Sequence, residues 1–269
     1  MTYNYMTYDR ATSRSGMADL RARIARIERG EQGITADAPA LPVLRLGIAA
    51  LDTHLPEGGL AEGALHEVTI PAPADTAAAT GFCLALLSKL LRARKGIALW
   101  CRHGGMLDAG ELYPPGLIQR GIPPDRLVVL NLNRDDDVLW AMEEALRSGG
   151  PAAVLGEVAR ADLTATRRLQ LAANETDLPA LMLRPGWREA GNSAAATRWH
   201  ITTEQSRPRG LAKELNEPGD PRWRAELFRC RGGAPGAWRM EWRNETGDLA
   251  LAAPAGDRPG KPRDAGIAG

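Results

Sequence analysis

Four of the seven tryptophans, Trp199, Trp223, Trp238 and Trp242, gather within residues 198–243, alongside ten Lys/Arg and six Asp/Glu. Period-two alternation puts Trp238, Met240 and Trp242 on one strand face and Arg239, Glu241 and Arg243 on the other. The segment Arg222-Trp223-Arg224 repeats the pattern, and Arg229 and Arg231 stand just before a glycine-rich turn. Indoles between guanidinium groups can stack the bases of a single nucleic-acid strand. The same residue types also serve as anchors in protein interfaces. A plainer reading sets the tryptophans inward against a sheet and leaves the arginines as its solvated face. The pattern alone leaves all three open.

Other chemistry-bearing residues are sparse. His54, His66, His103 and His200 show no ligand spacing and no acid partner that sequence locates. They read as structural or exposed. Cys83, Cys101 and Cys230 form an odd, widely spaced set with no C-x-x-C pair, which argues against a disulfide framework and against a zinc site, so a reducing compartment is expected. No metal and no cofactor are expected.

The elements that position these residues alternate from residue 43 onward. Short apolar runs at 65–70, 96–101, 127–131, 152–156 and 179–184 alternate with helical patterns at 76–94, 109–120, 136–148 and 162–175, the order of a parallel sheet flanked by helices. The helix over 136–148 has Asp135 or Asp136 as expected N-cap, Val138, Leu139, Met142, Ala145 and Leu146 on one face, and Gly149 as its stop. Beyond residue 197, period-two stretches suggest antiparallel strands added to that sheet, the last two joined through the turn at 232–236. Residues 1–16 and 254–269 lack apolar periodicity and are expected to be disordered, while 17–42 reads as an amphipathic helix with a linker.

The stretch Leu46-Gly47-Ile48-Ala49-Ala50-Leu51-Asp52, then Gly58-Gly59-Leu60 and Gly63-Ala64-Leu65-His66-Glu67-Val68, resembles the segment that leads into the nucleotide loop of RecA-like proteins. Gly58, Gly59 and Gly63 would permit positive φ at tight turns there. More loosely, residues 17–243 resemble the ImuA group of RecA-like proteins, which is itself similar to the SulA division inhibitors. The resemblance implies a RecA-like domain over 43–253. It also implies a role in damage-induced (SOS) mutagenic translesion DNA synthesis with an ImuB-like protein, with a DnaE-type polymerase and RecA as further partners and DNA contact weak or indirect. In that family the C-terminal part contacts ImuB, which favours Arg222, Trp223, Arg224, Arg229, Arg231, Trp238, Arg239, Trp242 and Arg243 as partner-binding candidates.

The resemblance also implies a nucleotide site, and this sequence departs from it in three places. A phosphate loop needs glycines whose amides surround phosphate, a lysine, and a Ser/Thr for Mg²⁺. The corresponding residues are Pro71, Ala72, Pro73, Ala74, Asp75 and Thr76, with no glycine before Gly81 and no lysine before Lys89. Two prolines remove amide donors, and Asp75 adds negative charge. The acidic position at the end of strand 152–156 falls on Gly156, with Glu157 one residue on, expected as a solvated side chain. After strand 96–101 stand Arg102 and His103 rather than a carboxylate that could activate water. These departures imply a vestigial site and no ATPase activity. The enzyme alternative is a DNA-dependent ATPase drawing its missing charge from Lys89, Arg92 or Arg94; the third alternative is a SulA-like inhibitor of FtsZ.

The bulk composition is consistent with these expectations. The chain has 269 residues, is 44% apolar and 25% charged, and carries a net charge of +1, so it has no global basic field for nucleic acid. No apolar run is expected to approach the ~18–20 residues that span a bilayer, and the N-terminus lacks the apolar stretch of a secretory signal. A cytoplasmic protein is expected, nucleoid-associated when engaged, with no membrane partner.

Overall fold

The computed structural model describes residues 42–104, 112–186, 191–208 and 210–252. The chain divides after Ala40, and everything described belongs to the second unit. The expectations for 1–16, for the amphipathic helix and linker up to residue 41, and for 254–269 lie outside the described residues.

Among the described residues, nine strands form one sheet: β1 (Leu65–Ile70), β2 (Ala98–His103), β3 (Leu127–Leu132), β4 (Ala153–Glu157), β5 (Ala180–Pro185), β6 (Thr197–Glu204), β7 (Arg222–Cys230), β8 (Gly236–Arg243) and β9 (Asp248–Leu251). Their order is β9-β8-β7-β6-β1-β5-β4-β2-β3. The six strands from β3 to β6 run parallel, and β7, β8 and β9 are added antiparallel. One expectation is corrected here. The TRWHITT stretch, β6, pairs parallel with β1, so the antiparallel extension begins one strand later. A small separate pair, Val43–Leu44 with Leu60–Ala61, precedes the sheet.

Three long helices cover it: α1 (Thr76–Ala93), α2 (Asp135–Ser148) and α3 (Leu163–Thr176). Alternate residues of the central strands feed two apolar clusters, as a sheet covered on both faces requires. Val68, Ile70, Trp100, Leu155, Leu181 and Leu183 pack on the α1 side. Leu65, Cys101, Val154, Ala180 and Met182 pack on the side of α2 and α3.

α1 is apolar almost all round, because β1, β6 and the C-terminal strands close over it. The segment Pro73–Ala93 has the length and apolarity to cross a membrane by composition alone, contrary to the expectation that no run is long enough. Two-thirds of it is buried inside the fold, as befits a core helix. Its Phe82 lies 5.5 Å from Trp199 and 6.3 Å from Trp223, ring centre to ring centre.

The start of α2 also differs from expectation. Arg134 takes the N-cap position and all three aspartates enter the first turn. Asp135 instead accepts from the backbone N–H groups of Ala159 (2.6 Å) and Arg160 (3.0 Å), tying α2 to the chain that leaves β4. Its end matches expectation, with Gly149 in the left-handed region at φ 67°.

Candidate functional site

In parallel sheets of this kind, ligands bind beyond the carboxyl ends of the strands. Here the segment between β1 and α1 occupies that place. Residues Pro73–Asp75 form a single 3₁₀ turn directly before α1. The Asp75 carboxylate accepts from Ala72 N–H (3.2 Å) with one oxygen and from Thr203 N–H on β6 (2.8 Å) with the other. The Thr203 hydroxyl returns a bond to the Ala74 carbonyl (3.2 Å), and the Thr76 hydroxyl donates to the Pro73 carbonyl (2.8 Å). The loop's own carboxylate thus takes the amide donors that a bound anion would need, and the hydroxyl that could meet a cation is turned into the helix cap. Pro71 and Pro73 supply no N–H at all.

The far side of the crevice is closed in the same manner. Strand alternation places Gly156 toward α2, away from the loop: a Cβ added there would lie 2.1 Å from Met142 Sδ. Gly156 is therefore not the acidic position, which corrects the expectation. Glu157 faces the α1 side, and it is buried rather than solvated. Its Oε1 accepts from the Trp100 indole N–H (3.0 Å), its Oε2 accepts from His103 N–H (3.3 Å), and Arg102 Nε lies 3.7 Å from Oε1. Burial raises the Glu157 carboxyl above the usual carboxylate range, with the Arg102 charge opposing the shift. Arg102 thus occupies the place where a water-activating carboxylate would stand, and it neutralises the acid beside it.

The cations offered for a substitute nucleotide site work elsewhere. Lys89 pairs with Asp248 at 2.5 Å, Arg92 donates to the Gly247 carbonyl and to Ser88 Oγ (3.2 Å), and Arg94 pairs with Glu62. Among the described residues, no three His, Cys, Asp or Glu gather in a way that could hold a metal ion. Of Gly58, Gly59 and Gly63, only Gly58 takes positive φ (72°). Gly59 is extended, and a Cβ on it would sit 2.8 Å from the Leu44 carbonyl, while one on Gly63 would press on Asp177 at 3.1 Å.

The tryptophan-rich segment divides by face. Trp199, Trp223 and Trp242 are fully buried against α1. Trp238 is half-buried, lies edge-on to His54 at 5.0 Å and donates to the Ala50 carbonyl at 3.1 Å. The candidates Trp223 and Trp242 are therefore not surface residues, because α1 covers the face on which alternation places them. Arg222 is buried as well, paired with Glu241 at 2.7 Å. Arg229 and Arg231 donate to the carbonyls of Ser193 (3.4 Å) and Ala194 (2.9 Å). Arg224, Arg239 and Arg243 remain about half exposed on the outer face, each near an acid: Glu226 at 3.7 Å, Glu204 at 2.9 Å and Glu241 at 3.4 Å.

Two polar clusters had no sequence signal. His66 bonds Thr197 Oγ1 and the Ala61 carbonyl, both at 2.8 Å. Glu67, fully buried on β1, accepts from Arg198 Nη2 at 2.8 Å with Arg184 at 3.9 Å. Both clusters form only when β1 meets β5 or β6, so spacing along the chain could not have found them.

No family model matches the chain. The crystal structure of the RadB recombinase covers 78% of this chain and all of its own, with a TM-score of 0.52 at 16% identity, which establishes a RecA-like fold. Two curated relatives, each called Protein ImuA, come from strains NA1000 / CB15N and ATCC 19089 / CB 15 of Caulobacter vibrioides. Each is 36% identical over 211 residues, spanning 74% of this chain and 83% of its own. A RecA-like sheet with this extent of shared sequence assigns the chain: it belongs to the ImuA family.

Proposed function

We propose that this protein is a non-catalytic accessory factor of damage-induced translesion DNA synthesis, acting in the cytoplasm at the nucleoid with an ImuB-like protein and a DnaE-type polymerase. The observation that carries the non-catalytic part is the Asp75 carboxylate bonded to Ala72 and Thr203 in the place of a phosphate. A triphosphate entering there would meet that negative charge, two prolines and no lysine. Glu157, held by Trp100, His103 and Arg102, is not free to position Mg²⁺ waters. Membership of the ImuA family supports the translesion part.

The outer-face arginines Arg224, Arg239 and Arg243 are the contact assigned to the ImuB-like partner. Deleting 222–269 would not test this, since it strips β7, β8 and β9 from the core. The test is the full chain with all three arginines changed to alanine. Calorimetric titration with Mg-ATP should show no binding, and the triple variant should lose on the order of tenfold or more in affinity for the ImuB-like protein. Tight nucleotide binding overturns the non-catalytic reading, and unchanged partner affinity overturns the arginine surface.

A further inference from the structure

α2 buries Val138, Ala141, Met142 and Leu146 and turns Trp140 outward, 63% exposed. Trp100, Trp199, Trp223 and Trp242 are by contrast fully buried. Helical spacing puts Asp137, three residues before, and Glu144, four residues after, on the same outward face. Their neighbours are already paired: Asp136 with Arg134 at 3.4 Å, and Glu143 with Arg147 at 2.7 Å and with Arg168. Among the described residues, Asp137 and Glu144 enter no ion pair, so two free carboxylates bracket an exposed indole.

That combination has a defined complement. An indole face attracts a guanidinium or ammonium group, and a carboxylate on either side neutralises it. Nucleic acid is repelled by the same two charges. The sheet ends in β3, beside the β2 on which α2 packs, and this edge strand leaves Val128 and Leu130 41% and 37% exposed. Their register partners Leu99 and Cys101 belong to the α2-side cluster, so apolar area is left open on the sheet face that α2 covers. We propose that the outward face of α2, centred on Trp140 with Asp137 and Glu144, docks a basic segment of another protein, an Arg or Lys side chain lying over the indole with apolar neighbours beside it. α2 packs on β4 and β2, about four strand spacings or roughly 20 Å from β7, so this face is separate from the outer-face arginines and can be occupied together with them. It is independent of which protein those arginines contact.

The test places a photo-crosslinking benzophenone side chain at position 136 of the full chain, one helical turn before Trp140 on the same exposed face so that the indole is kept. It is done in cells under DNA damage, with Leu171 on the exposed side of α3 as the control position. The crosslinked peptide is identified by mass. The expected result is a protein adduct at 136 whose peptide carries Arg or Lys beside apolar residues, with yield falling on the order of tenfold when Asp137→Lys and Glu144→Lys are introduced together. The proposal is overturned by no adduct above the Leu171 control, by an adduct to another copy of this chain or to DNA, or by a yield that the charge reversal leaves unchanged.

Discussion

Replacing Gly156 by alanine probes the contact that fixes α2 over β4. The added Cβ would lie 2.1 Å from Met142 Sδ, 2.9 Å from its Cγ and 3.0 Å from its Cε. Non-bonded carbon contacts settle near roughly 3.5–4.0 Å, so Met142 must leave its rotamer. It has no exit to solvent, being fully buried among Val138, Leu146 and Val154. Overpacking of this kind costs about 1–3 kcal/mol, which is about 2–12 °C in Tm for a domain of this size. Met142→Ala alone should cost about 2–5 kcal/mol by leaving a cavity. In the double variant the new methyl group enters that cavity, so its cost should fall below the sum of the two by about 1–3 kcal/mol. Urea unfolding followed by tryptophan fluorescence measures all four corners of the cycle. If Gly156→Ala proves neutral, or the two costs add to within about 0.5 kcal/mol, the packing argument for a glycine at 156 fails.

Two further outcomes follow from buried polar groups. Desolvation lowers the His66 pKa from 6.5 to about 4, with the bond to the Ala61 carbonyl opposing the shift. The unfolded chain therefore binds more protons across that window, and stability should fall as pH drops from 6.5 toward 4, by on the order of 3 kcal/mol in all. His66→Gln should flatten that part of the stability profile, and an unchanged profile would show that another group sets it. For the buried Arg222–Glu241 pair, Arg222→Met alone should cost about 1–3 kcal/mol, because Glu241 Oε2 loses its donor at 2.7 Å while Arg243 stays 3.4 Å from Oε1. Replacing both residues with methionine should cost less. Equal losses in the single and double variants would show that Arg222 acts through packing instead.

The parallel core was legible because its strands are buried on both faces and read as continuous apolar runs between helical patterns, as LHEVTI of β1 does. What escaped detection depended on contacts between distant segments. Nothing local distinguishes β6, which pairs parallel with β1, from the antiparallel strands after it. Asp135 looked like a cap because caps are acidic, but it answers to amides twenty-four and twenty-five residues on. β9, four residues long, carries too short a pattern to notice. At the candidate site, the missing glycines and lysine of 71–76 were plain in the sequence. The burial of Glu157 was not, since Trp100 and Arg102 reach it from a neighbouring strand. Alternation also separated the tryptophans from the arginines correctly without saying which face a helix would cover.

The late arrival of β7, β8 and β9 has a consequence for synthesis. Until residues beyond 222 leave the ribosome, α1 lacks the strands that seat Trp223 and Trp242 against it, and a helix apolar enough to enter a bilayer has only β1, β4, β5 and β6 of the sheet to cover it. A stalled or clipped chain is therefore a sticky one, marked for chaperones and proteases by the surface that a finished chain conceals. Severing the C-terminal strands would retire the protein in a single cut.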